Sequence, residues 1–209
     1  MLSIDFTSER TSTPLQEFLQ ANCWDTPTCR EIACKGTVDQ GIKMPWVKSA
    51  RKQDGAFMIS SWCNASAAQL DRIRSMKDSI PPDLYPFSHH QCPEPITSML
   101  LTRKEDIAGW LVTHRISPDT IRYTHNYILP KLENRGLALA MMATAIRAQH
   151  ETGVRNIIWT TPAHHARMVE FTQRRIFPYL SWMKYVMRST KKLYQLHPHR
   201  ARTEQDNTY

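Results

Sequence analysis

The sequence predicts an α/β chain of the α+β type, and three observations carry that expectation. Residues 96–129 hold three consecutive segments with strand character, ITSMLLTR, IAGWLVTHRI and TIRYTHNYIL, separated by the turn formers KED and SPD. An alanine-rich pattern, ENRGLALAMMATAIRAQHETG, follows with helical spacing of Leu137, Met141, Ala145 and of Met142, Ile146. NIIWTT, ARMVEFTQRR and LSWMKYVMR then alternate strand, helix and strand, so the order is βα, βββ, αβ, αβ.

Each element has its own local reason. In residues 1–50 one short helix is expected: Thr13 is placed to cap it, Pro14 suits its first turn, and Leu15, Phe18 and Leu19 share a face. The rest of residues 1–54 has weak periodicity and near-neutral charge, and reads as a packed extension. AFMISSW is strand-like, and Asn64 or Ser66 then caps a helix carrying Leu70, Ile73 and Met76. Residues 78–95, DSIPPDLYPFSHHQCPEP, hold five prolines and read as a long loop, of the kind that commonly carries function. The long helix is expected to end at Gly153 in a left-handed cap. The main domain is expected over 55–189 and a basic tail over 190–209.

Composition narrows the function classes. With 41% hydrophobic and 22% charged residues, the chain is neither disordered nor fibrous. Charged or polar residues break every apolar stretch before the roughly 18 residues of a membrane span, and MLSIDFTSERTSTP lacks the pattern of an ordinary signal peptide. Five cysteines in no Cys-x-x-Cys pair predict reduced thiols, a cytoplasmic setting and no metal ligand set of their own. The net charge of +8 favours anionic partners. From Lys184 to the end there are six Lys and Arg against two acids, a pattern that suits a solvated tail and equally contact with RNA, an acidic protein or phosphates.

Glycine is scarce, six in 209, or about 3% where about 7% is usual, so each is expected to serve the backbone. Gly136 stands where the third meander strand passes into the long helix, in ILPKLENRGLALA, a place where free amides and the positive dipole end receive an anion. The element order and this segment resemble the GNAT superfamily of acyl-CoA-dependent N-acyltransferases, over roughly two thirds of the chain, residues 55–189. The superfamily's Arg/Gln-x-x-Gly-x-Gly/Ala, preceded by aliphatic-x-Pro, is met here by Ile128-Leu129-Pro130 and Glu133-Asn134-Arg135-Gly136-Leu137-Ala138, with Glu133 the departing position.

The resemblance implies a mixed, mostly antiparallel twisted sheet flanked by helices on both faces, and acetyl-CoA or another acyl-CoA as co-substrate. It implies that amides of Asn134, Arg135, Gly136, Leu137 and Ala138 hold the diphosphate, and that amides of Ile128 and Leu129 polarise the thioester carbonyl where two strands part. The family's later marker, an Asn followed by Phe-Tyr-x-x-x-Gly-Phe, is met by His165 and by Phe171 to Phe177, with Thr172 at the tyrosine that protonates the leaving thiolate. His165 is thereby a candidate contact to the cofactor arm, or a plain helix cap with His164. Thr172 is the candidate that hydrogen-bonds the sulfur.

Transfer to an amine needs a free lone pair, hence a base or a desolvated pocket. His125 alternates away from Ile128 along its strand and serves as base if a bulge redirects it; His114, His89 and His90 are rivals. The expected reaction is direct transfer of an acyl group to a primary amine on a small molecule or protein, bound between residues 78–95 and the meander. Two other readings stay open: a non-catalytic acyl-CoA or macromolecule binder, and an enzyme acting on aminoacyl-tRNA through the basic tail.

Overall fold

A computed structural model describes residues 1–8, 14–50 and 55–192. In chain order its elements are β1 (Leu2–Ser8), α1 (Pro14–Ala21), β2 (Thr28–Thr37), α2 (Val38–Gly41), α3 (Pro45–Ser49), β3 (Met58–Ser61), α4 (Ala67–Ser75), β4 (Met99–Arg103), β5 (Asp106–Ser117), β6 (Thr120–Ile128), α5 (Leu137–Glu151), β7 (Asn156–Pro162), α6 (Ala166–Phe171) and β8 (Leu180–Lys191). The strands form one sheet in the order β1-β8-β2-β7-β6-β5-β4-β3. Its neighbours are antiparallel except β6 and β7, which run parallel on either side of α5.

Alternation along the central strands divides the core in two. Leu111 and Ile128 face α2, α3 and α5, packing with Val38, Val47, Met141 and Ile146. Trp110, Val112 and Tyr127 face the other way, against Trp62, Ile73 and Ile80 from α4 and its flanks. Helices therefore cover both faces. α4 starts at Ser66, whose hydroxyl accepts from Gln69 N while Gln69 Oε1 accepts from Ser66 N, a capping box worth about 1 kcal/mol. α5 ends as expected at Gly153, with φ +74°.

Residues 1–54 depart from expectation. In place of an extension with one helix they supply two strands and three helices, and β2 lies inside the sheet between β7 and β8. A boundary at residue 54 would cut through that sheet. β1 is held on β8 by the register Leu2↔Lys191 to Ser8↔Tyr185, with Asp5 taking a two-pronged bond from Arg188 at 2.6 and 2.7 Å. Of the apolar face expected on α1, Leu19 is buried while Phe18 is exposed; Thr13, its expected cap, lies outside the described residues. The basic tail from residue 193 onward also lies outside them, whereas Thr190 and Lys191 belong to β8. No helix among the described residues is long and apolar enough to cross a membrane.

Candidate functional site

The parallel pair β6–β7 is joined only from Thr120↔Asn156 to Tyr123↔Trp159. Beyond that point β7 stays with β2, through Ala33↔Thr160, Ile32↔Thr161 and Glu31↔Pro162, while β6 stays with β5 to Gly109↔Ile128. The two strands part because each is committed to its outer neighbour. A cleft of about 820 Å³ opens between them. Ala138 and Met142 of α5 line one side of it, and Asp83, Ser88 and His89 of the proline-rich loop line the other, so it opens toward both faces of the sheet.

A bulge in β6 sets which side chains enter. Val112 pairs with His125 but Thr113 with Tyr123, leaving Thr124 as the extra residue. Tyr123 then turns to the α5 side, where its hydroxyl donates to Gln149 Oε1 at 3.1 Å, and Arg122 turns to the loop side among His89, His114 and His125. His125 remains on the face opposite Ile128, as its period requires, and reaches the cleft because the cleft opens on that face as well. Its Nδ1 lies 3.0 Å from the Asp83 carbonyl oxygen, which only accepts, so Nδ1 carries the proton. Nε2 keeps its lone pair, facing the Ser88 hydroxyl at 3.3 Å. Burial pushes His125 down to about 4, against which the Asp83 carbonyl pulls upward, so the ring is neutral at pH 7.

Among the rivals, His89 lines the cleft with its ring 5.2 Å from both His114 and His125. His114 is buried behind it, its Nδ1 2.7 Å from Thr124 Oγ1, and burial lowers it too. His90 is exposed.

The anion cradle is expected at the turn between β6 and α5. Asn134 and Gly136 both take left-handed backbone, φ +62° and +73°, and turn the chain sharply into α5. Among the described residues no protein acceptor takes the amides of Asn134, Arg135, Gly136, Leu137, Ala138 or Leu139; the first paired amide is that of Ala140, on Gly136 O at 3.0 Å. A Cβ placed on Gly136 meets nothing within 4 Å, so the space before these amides is open. Glu133 is exposed and forms no ion pair with Lys131 or Arg135 among the described residues.

Two expected site residues are placed differently, and a third keeps its place at the cleft. The Leu129 amide donates to Ala108 O at 3.0 Å and is spent on β5. Successive amides point to opposite sides of a strand, so those of Ile128 and Asn126 face the gap left by β7. Thr172 is fully buried where α6 passes into the wide turn Thr172–Ile176; its hydroxyl has no partner among the described residues, and it is not in the cleft wall. It cannot protonate a group in the cleft from there. His165 lines the cleft and is the N-cap residue of α6 by position, but its side chain makes no cap bond; its Nε2 lies 2.7 Å from Asp83 Oδ2.

The walls also hold polar atoms that sequence reasoning did not single out. Asn126 Oδ1 and Trp159 Nε1 are buried with no partner among the described residues, one an acceptor and one a donor, on strands β6 and β7. An orphaned buried polar group costs about 1–3 kcal/mol, a cost both atoms carry here. Their signal lay in the register, which depends on the bulge at Thr124. The cleft thus fits an extended amide-bearing chain entering between two strand edges, with an anion at the α5 amides.

No protein-family model matches the chain, and no curated protein matches it by sequence. Solved structures do. A GCN5-related N-acetyltransferase from Sphaerobacter thermophilus superposes with a TM-score of 0.60 at 14% identity, over 90% of this chain and 59% of that one. One from Kribbella flavida gives 0.56 at 13%, over 93% and 69%. A tandem GNAT protein from the clavulanic acid biosynthesis pathway gives 0.55 at 9%, over 90% and 63%. The chain spans about three fifths to seven tenths of the length of these structures. These likenesses are of fold, and this chain has the GNAT fold.

Proposed function

We propose that the protein is an acyl-CoA-dependent N-acyltransferase, with acetyl-CoA as the donor that best suits it, acting on a primary amine of a small molecule or protein. The observation that carries this reading is the run of unpartnered amides at residues 134–139 beside the parting of β6 and β7. The cofactor supplies an activated thioester. The amides of Asn134 to Ala138 would hold its diphosphate, Asn126 Oδ1 and Trp159 Nε1 its amide arm, and the Ile128 amide the carbonyl oxygen as charge gathers there. The acceptor would enter from the face lined by Ser88, His89 and His125.

A ring pushed down to about 4 is far too weak a base for a free ammonium near 10.4. The amine must therefore arrive neutral, which a half-buried cleft favours. His125 Nε2 would then take the proton that the nitrogen sheds once it bonds to carbon and turns strongly acidic. Purified protein should gain thermal stability with acetyl-CoA or CoA and lose that gain in Gly136→Glu, and it should release thiol from acetyl-CoA when the right amine is present. No thermal shift with any acyl-CoA would end this reading.

One observation favours a second reading, a binder without catalysis: Thr172, at the position of the family's tyrosine, stands outside the cleft wall. A thermal shift without thiol release, across amines and cell extract, would select it.

A further inference from the structure

We propose that Asp83, His164 and His165 form a site for a divalent cation of the zinc class at the rim of the cleft, clipping the proline-rich loop to the junction of β7 and α6. This rests on the three side chains alone and stands whether or not the protein transfers acyl groups.

The ligand atoms already converge. Asp83 Oδ2 lies 2.7 Å from His165 Nε2 and 3.4 Å from His164 Nε2, and the three atoms fall within 4.8 Å of one another. Ligands at about 2.0–2.1 Å from a tetrahedral ion stand roughly 3.4 Å apart, so the His164 edge already has that length and the His165 edge needs to open by about 0.7 Å. Both imidazoles present the same nitrogen, with ring centroids 4.2 Å apart. The charges match too: one carboxylate with two imidazole nitrogens suits a dication.

The frame around Asp83 is held independently of its carboxylate. Pro81 and Pro82 precede it, its own carbonyl accepts from His125 Nδ1 at 3.0 Å, and the next carbonyl, of Leu84, accepts from the buried Trp110 Nε1 at 3.1 Å. On the other wall the His165 amide donates to Pro162 O at 3.0 Å, and its carbonyl accepts from Met168 and Val169, which fixes the ring's origin. Ligands set by such supporting bonds lose little freedom on binding an ion.

The donor set names the ion. Two imidazole nitrogens and one carboxylate oxygen suit Zn²⁺ or a neighbouring first-row cation over Mg²⁺ and Ca²⁺, which take oxygen cages. Three protein ligands leave a fourth position, and all three residues line the cleft, so that position is available to water or to an acceptor's donor atom.

The test is calorimetric titration of the full chain, first stripped with a chelator, with ZnCl₂ and separately with MgCl₂ and CaCl₂. One Zn²⁺ should bind with micromolar or tighter affinity and Mg²⁺ and Ca²⁺ at least tenfold more weakly. Asp83→Asn and His164→Ala should each weaken Zn²⁺ by tenfold or more. His164 is exposed, so its loss leaves the fold intact, which circular dichroism checks. Zinc-edge X-ray absorption of the loaded wild type should show nitrogen and oxygen neighbours without sulfur. No Zn²⁺ binding overturns the proposal. So does binding unchanged in both variants, or a sulfur shell, which would move the ion to the exposed Cys23, Cys63 or Cys92 or to histidines elsewhere.

Discussion

Gly136 and Gly153 provide a matched pair at the two ends of α5. Both are left-handed, at φ +73° and +74°, and a Cβ on either meets nothing within 4 Å. The helix between them has 15 residues and so spans about 22 Å. Alanine at either position pays the same backbone penalty, about 1–2 kcal/mol for an L-residue in that region, with no clash to add. In a chain of this size that corresponds to a fall in Tm of roughly 2–8 °C. The two sites differ only in what lies before them, since Gly136 opens onto the free amides and Gly153 onto solvent at the far end. Losing one hydrogen bond to a charged group costs about 1.5–3 kcal/mol, so Gly136→Ala should weaken CoA by about ten- to hundredfold. Gly153→Ala should lose the same Tm and leave CoA affinity within about twofold. Scanning calorimetry and titration calorimetry on both variants read this directly. Equal losses of affinity, or none in either, would refute the assignment of the cradle.

Other consequences follow from the same geometry. His125, lowered to about 4 by burial, binds fewer protons folded than unfolded below its ordinary 6.5, and His89 and His114 shift the same way. Stability should therefore be fully present above about pH 6.5 and fall as pH drops toward 4, by up to about 3 kcal/mol from His125. Urea unfolding at pH 4.5 to 7.5 with chelator present should show this slope, and His125→Gln should flatten it; an unchanged slope contradicts the burial argument. Gly109 faces Ile128 so closely that a Cβ would overlap the Tyr127 carbonyl oxygen and stand 2.8 Å from Ile128 Cδ1. Gly109→Ala should cost about 1–3 kcal/mol and weaken CoA as the edge of the wedge shifts, and a loss under about 0.5 kcal/mol would speak against that packing.

Local chemistry made much of the architecture legible. The turns at KED and SPD, the Ser66 cap and the apolar stripe of α5 act within a few residues, and the structure follows them. The turn at Gly136 was legible for the same reason, because a glycine at a helix start is a local feature. The strands of residues 1–54 were missed although β1 alternates Leu2, Ile4 and Phe6 with polar residues; what pairs it is β8, more than 170 residues later. In β2 the buried positions are Ile32, Cys34 and Gly36, two of them small, so the alternation carries little hydrophobic contrast. The site residues that changed role did so through contacts no spacing reveals. The Leu129 amide is taken by Ala108 across the sheet, Thr172 sinks into the core at a wide helical turn, and His165 is drawn to Asp83, 82 positions earlier.

Amide resonances of ¹⁵N-labelled protein titrated with CoA test the central claim most directly. The amides of Asn134 to Ala138 and of Ile128 should shift strongly and in proportion to one another, while that of Leu129, already bonded to Ala108, moves little. If CoA leaves the 134–138 amides in place and moves resonances elsewhere, the phosphate cradle proposed between β6 and α5 is wrong.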